Sequence, residues 1–249
     1  MTESLKLIDT FSGIGGFSYA AEKLVGGFET VAFVECEPYC QKVLKKHWPE
    51  VPIYDDIKTY NPEPYSADVI CGGFPCQSIS NLGHHEGITE TSKSGLFYEL
   101  MRVIRLVRPS YVILENVAAI LNNGLGIVLG ELAEARFNCE WACIPASALG
   151  ACHKRERIWI IAYPMRERSQ RATNKRVQGK GIWTATPRRL CPNWRQYESQ
   201  PVLRRGNDGL SNRVHRLKAL GNSIVPQVAA IPLQRVKELS LLQSVAMQS

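Results

Sequence analysis

The 249-residue chain has no apolar run near the ~20 residues that a membrane-spanning helix requires. Its first residues, Met1-Thr2-Glu3-Ser4-Leu5-Lys6, lack the hydrophobic segment of a secretory signal. A cytosolic protein is expected. The eight cysteines include no CxxC pair, and no histidine pair follows them at finger spacing. A zinc ribbon or finger is therefore disfavoured, and no metal is expected. A chain of this length, 45% hydrophobic with a mean hydropathy of −0.15, buries a core without disulfides, so the cysteines read as reduced thiols. The same figures exclude a disordered or collagen-like chain.

Acidic residues become scarce in one stretch. Residues 154–216 hold 16 lysines and arginines against 4 acids, a balance of +12 that leaves the rest at −5 of a total of +7. A basic block in an otherwise acidic protein points to a polyanionic partner. The same stretch loses its hydrophobic period after Pro164, and Arg, Lys, Trp, Pro and Gly dominate.

Elsewhere, short apolar runs alternate with helical patterns. Strands are expected at residues 5–9, 30–35, 68–71, 111–115 and 157–163, and helices at 17–24, 39–47, 96–107 and 125–136. A last helix is expected from Val225 to about Leu242, kinked at Pro232 and frayed beyond. This alternation predicts an α/β fold with a Rossmann-like, mostly parallel sheet and helices on both faces. The division that follows is a cofactor-binding domain over residues 1–163, a small recognition region over 164–212, and a segment over 213–249 returning to the first domain. Ligands of such sheets sit beyond the carboxyl ends of the strands, which directs attention to the residues after each run.

After the first strand comes Asp9-Thr10-Phe11-Ser12-Gly13-Ile14-Gly15-Gly16-Phe17, a glycine turn opening a helix. Glycines there let a ligand approach the backbone, although such a turn can also be purely structural. Glu35 ends the second strand where dinucleotide folds place a carboxylate on ribose hydroxyls. Asp9 stands just before the loop and Ser18 replaces the third glycine of GxGxxG. A carboxylate beside a phosphate seat repels pyrophosphate and suits an ammonium or sulfonium group. S-adenosylmethionine fits better than a nicotinamide dinucleotide, which makes a dehydrogenase the disfavoured reading.

After the 68–71 run stands Gly72-Gly73-Phe74-Pro75-Cys76-Gln77, which places Cys76 either as a nucleophile or as a small buried hydrophobe. Glu115-Asn116-Val117 ends the neighbouring strand and brings Glu115 to the same edge, either as a proton-holding acid or a solvated cap. In His153-Lys154-Arg155-Glu156-Arg157, strand alternation puts His153, Arg155 and Arg157 on one face, as a clamp for a base carbonyl or phosphate or as a solvated edge.

These motifs, in this order and followed by Gly221-Asn222-Ser223, resemble the cytosine-C5 DNA methyltransferases over roughly residues 5–163 and 212–240. Small phage-type members are similar around residues 148–162 and 217–227. The resemblance implies methyl transfer from S-adenosylmethionine to C5 of a cytosine flipped from double-stranded DNA; a monomer is expected, without metal. Cys76 would attack C6, Glu115 would contact N3 and the exocyclic amine, and Arg157 would contact O2 with Arg155 as support. Cofactor contacts would come from Asp9, Phe11, Gly13, Gly15, Gly16, Glu35, Asp56, Leu96 and Asn222. DNA contacts are expected from Gln77, Lys93, Arg188, Arg189, Arg204 and Arg205, with Trp183, Trp194 and Tyr197 available for stacking. His153 stands where the family often has Gln, and the recognition region is short. Two other readings share the motifs or the fold: an RNA cytosine methyltransferase and a silent DNA-binding protein.

Overall fold

In a computed structural model the described residues are 4–75, 95–165 and 213–248. Seven strands form one sheet: β1 (Leu5–Thr10), β2 (Phe28–Val34), β3 (Ile53–Tyr54), β4 (Val69–Gly72), β5 (Tyr111–Val117), β6 (Phe137–Pro145) and β7 (Glu156–Pro164). Their order is β3-β2-β1-β4-β5-β7-β6. The pairs from β3 to β5 are parallel, and β7 runs antiparallel to both β5 and β6. The expected Rossmann-like, mostly parallel sheet is present, with one reversed strand.

Side-chain alternation sends successive residues of the central strands into two cores. Ile8, Ile70, Val112, Leu114 and Ile160 enter one core, together with α3 (Leu96–Val107) and α5 (Leu125–Glu134). Leu7, Val69, Cys71, Ile113 and Trp159 enter the other. There they meet α1 (Gly16–Tyr19), its continuation in a π-turn over Ala20–Val25, and α7 (Pro226–Gln248). Burial on both faces is why these strands read as continuous apolar runs. Phe17, opening α1, meets the Trp159 ring edge-on at 5.7 Å and fixes the helix against the sheet.

The remaining helices are α2 (Pro38–His47), α4 (Ile120–Asn123) and α6 (Arg213–Asn222). Several elements differ from the expectation. β6 was not foreseen: it is an edge strand held by β7 alone, and its exposed and half-buried residues obscure the alternation. β3, at two residues, is too short to read. Helix α7 runs continuously through Pro232 to Gln248, past the expected end at Leu242, because no glycine or proline follows to stop it. Strand β7 begins at Glu156, so Arg155 and His153 precede it. Arg155 takes a positive φ of 29°, which breaks the alternation invoked for the 153–157 clamp. No helix among the described residues is long and apolar enough to cross a membrane.

Candidate functional site

A cavity of about 480 Å³ opens beyond the carboxyl ends of β1, β2, β4 and β5. One end is built by the turn after β1. Phe11 and Gly13 sit there at φ 52° and 55°, and Gly13 N–H donates to Glu35 Oε2 at 2.7 Å. The second oxygen of Glu35 accepts the Glu37 N–H at 2.7 Å, so two backbone donors hold the carboxylate in place at the end of β2. Burial nevertheless pushes Glu35 above the usual carboxylate range. Asp56, held by the Lys58 N–H at 2.9 Å, faces the same space, as do Leu96 at the start of α3 and Asn222 at the end of α6.

The other three expected cofactor residues do not line the cavity. Asp9 is fully buried behind the turn, where it accepts Ser18 Oγ–H at 2.8 Å and the Ser18 N–H at 3.3 Å. It serves as the post that anchors α1, and burial pushes it up to about 7 against the pull of those donors. The serine in place of a third glycine is thus explained by its hydroxyl. Gly15 has φ 83°, and a Cβ there would come within 2.6 Å of the Trp48 ring. At Gly16 a Cβ would stand 3.2 Å from the Cβ and carbonyl oxygen of Ile224. Both glycines permit close packing behind the turn.

The opposite end is formed by β5 and the residues leading into β7. Glu115 Oε1 meets Arg157 Nε at 3.0 Å. Burial pushes the Glu115 carboxyl up, and the charges of Arg157 and Arg155 pull it back. A Cβ at Gly73 would stand 3.0 Å from Glu115 Oε2, so glycine lets the chain leaving β4 pass over the acid. That chain is held by Asn116, a buried residue whose Nδ2 donates to the Phe74 carbonyl at 3.1 Å. Arg155 also lines the cavity, but its guanidinium donates to the carbonyls of Gly221 and Ser223. His153 is exposed and is not among the lining residues. Cys76, Gln77, Lys93, Arg188, Arg189, Arg204 and Arg205 lie outside the described residues.

Sequence reasoning missed four contributors. Asn116 was quoted only as part of a motif, although a polar residue among buried strand residues signals a structural hydrogen bond. Lys218 of α6 pairs with Glu37 at 2.8 Å across the cavity rim, a contact 181 residues apart with no local signature. Cys36 and Cys40 also line the wall, and burial pushes both thiols up, Cys40 to about 11.

Comparison with known proteins gives a consistent result. A family model described as C-5 cytosine-specific DNA methylase matches residues 5–193. Among curated relatives, the type II methyltransferase M.MspI of Moraxella is 30% identical over 166 residues, covering 65% of this chain and 39% of that protein. M.HhaI of Haemophilus parahaemolyticus is 32% identical over 163 residues, covering 64% and 49%. The chain thus spans between two fifths and one half of the relatives it matches. Two solved structures share the fold. One is a Spodoptera frugiperda DNMT2 variant, with 22% identity, a TM-score of 0.53, and 67% and 54% of the two chains covered. The other is the Entamoeba histolytica methyltransferase EhMeth, with 17% identity, a TM-score of 0.55, and 66% and 54% covered. With its family model matched over residues 5–193, the chain belongs to the C-5 cytosine-specific DNA methylase family.

Proposed function

We propose that the chain methylates C5 of a cytosine flipped out of duplex DNA, with S-adenosylmethionine as methyl donor. One observation carries the reading. A single cavity joins a wall suited to an adenosine with a buried glutamate–arginine pair suited to a pyrimidine edge. The residues fit the cofactor on the structure's own terms. Glu35 is held by two N–H donors yet keeps lone pairs for ribose hydroxyls, Phe11 offers a ring, and the volume lies in the range of small-molecule sites. Asp56, Leu96 and Asn222 complete that wall, while Asp9, Gly15 and Gly16 support it from behind. When bound, the cofactor supplies a methyl group made electrophilic by its sulfonium.

The other steps fall to the chain's own residues. The target base must leave the duplex, because its reacting edge is hidden there, at an unstacking cost of a few kcal/mol. The Cys76 thiolate attacks C6, which moves electron density to C5. Glu115, whose burial favours the protonated form, supplies the proton at N3 and accepts from the exocyclic amine. Arg157 holds Glu115 in register and donates to O2. Once C5 carries the methyl group, its proton passes to water, the N3 proton returns to Glu115 and the cysteine sulfur leaves as thiolate, which restores the ring. The basic stretch over residues 164–212, including Arg188, Arg189, Arg204 and Arg205, would hold the phosphates, with Gln77 and Lys93 beside the base. We assign residues 1–163 and 213–249 to the catalytic unit, acting as a monomer in the cytoplasm. The type II relatives make a restriction–modification role the natural setting.

The test is transfer of labelled methyl groups from S-adenosylmethionine to duplex DNA and, in parallel, to transfer RNA. Label in DNA at C5 of cytosine is expected. Label confined to RNA would overturn the substrate, and none in either would overturn the activity.

A further inference from the structure

The last residues of α6, Gly221 and Asn222, and the short turn over 223–225 that leads into α7 bring Asn222 to the cavity wall. Two contacts clamp that turn from opposite sides. On one side Gly16 leaves room for Ile224, whose backbone and side chain stand where a Cβ would nearly touch. On the other, Arg155 Nη1 donates to the Gly221 carbonyl at 3.0 Å and Nη2 to the Ser223 carbonyl at 2.6 Å. These carbonyls lie at the carboxyl end of α6, where helices leave acceptors without internal partners and favour a cation. The positive φ of Arg155, just before β7, turns the residue out of the strand's alternation. Arg155 itself lines the cavity, and its charge also acts on Glu115 and Arg157.

We propose that Arg155 is the positioning residue of the cofactor turn: its forked guanidinium fixes the carbonyls on either side of Asn222 and so sets that residue's place in the adenosine wall. This divides the work of the two arginines. Arg157 belongs to the base-binding acid and Arg155 to the cofactor side. A planar fork reaches the two acceptors from two separate nitrogens held in one plane, a match that a single lysine ammonium reproduces less well. The inference rests on the cofactor reading above and deepens it.

The test is calorimetric titration of the full chain with S-adenosylhomocysteine, using the unmodified protein, R155M, R155K, N222A and the double variant R155M/N222A. The R155M change is expected to weaken binding about tenfold, and R155K to remain weakened although its charge is kept. If Arg155 acts through Asn222, the two penalties overlap, and R155M adds less than about threefold in the N222A background. Unaltered affinity in R155K and R155M, or penalties that multiply in the double variant, would overturn the proposal. Should R155M fail to fold, R155K and R155K/N222A carry the same comparison. No binding by the unmodified protein would instead overturn the cofactor reading, and the Arg155 role with it.

Discussion

Replacing Asp9 by asparagine separates two roles that the sequence leaves together. The structure gives this carboxyl no access to the cavity and makes it the anchor of Ser18. Burial raises it from 3.8 to about 7. A carboxyl with a raised folded value binds its proton more tightly in the folded state. Its contribution is therefore favourable below the unfolded value and is lost as pH rises from about 4 to about 7. Each pH unit in that window is worth about 1.4 kcal/mol, so the loss reaches roughly 4 kcal/mol. The D9N variant keeps an acceptor for Ser18 and cannot ionise. Glu35 and Glu115 titrate in both proteins, so their contributions largely cancel in the difference. Urea unfolding of both proteins at several pH values between 4 and 8 is the assay. The stability of D9N relative to the unmodified chain is expected to climb by up to about 4 kcal/mol across the window. Its affinity for S-adenosylhomocysteine should stay within about threefold, less than one hydrogen bond is worth. A flat difference across the pH range would refute the buried anchor, and a large loss of affinity would restore Asp9 to the cavity.

Two further substitutions probe the opposite end. In N116A the Phe74 carbonyl loses its buried donor, a cost of about 1–3 kcal/mol. Because that carbonyl lies two residues before Cys76, kcat is expected to fall while cofactor affinity is retained, and an unchanged kcat would remove Asn116 from the site. On the role proposed for Glu115, E115Q removes the proton supplied to N3, and turnover is expected to drop by about 10²–10⁴. Activity is expected to decline as Glu115 ionises at rising pH and that limb to vanish in E115Q, whereas its persistence there would assign the limb to another group.

What the sequence made legible follows from where its information lies. Strands β1, β4, β5 and β7 were readable because burial on both faces demands unbroken apolar runs. Edge strand β6 faces no such demand and was missed. Glycine turns and strand-end carboxylates are local features, so Phe11, Gly13, Glu35 and Glu115 could be brought to one sheet edge from the linear pattern. Asp9 was also within reach. It shares the parity of Leu7, which faces the α1–α7 core, so strict alternation already aims it away from the cavity. The Arg155 contacts with Gly221 and Ser223, and the Lys218–Glu37 pair, were not legible. They join segments more than 60 residues apart, and only the folded sheet brings them together.

The proposed bond from Cys76 to C6 of a flipped cytosine can be read directly as mass. Duplex DNA containing 5-fluorocytosine, incubated with the chain and S-adenosylmethionine, blocks the last elimination because the C5 position carries fluorine in place of a proton. The predicted result is a denaturation-resistant protein–DNA complex whose cross-linked peptide contains Cys76, absent from C76A. A cross-link at another residue, or methylation by C76A at the unmodified rate, would contradict it.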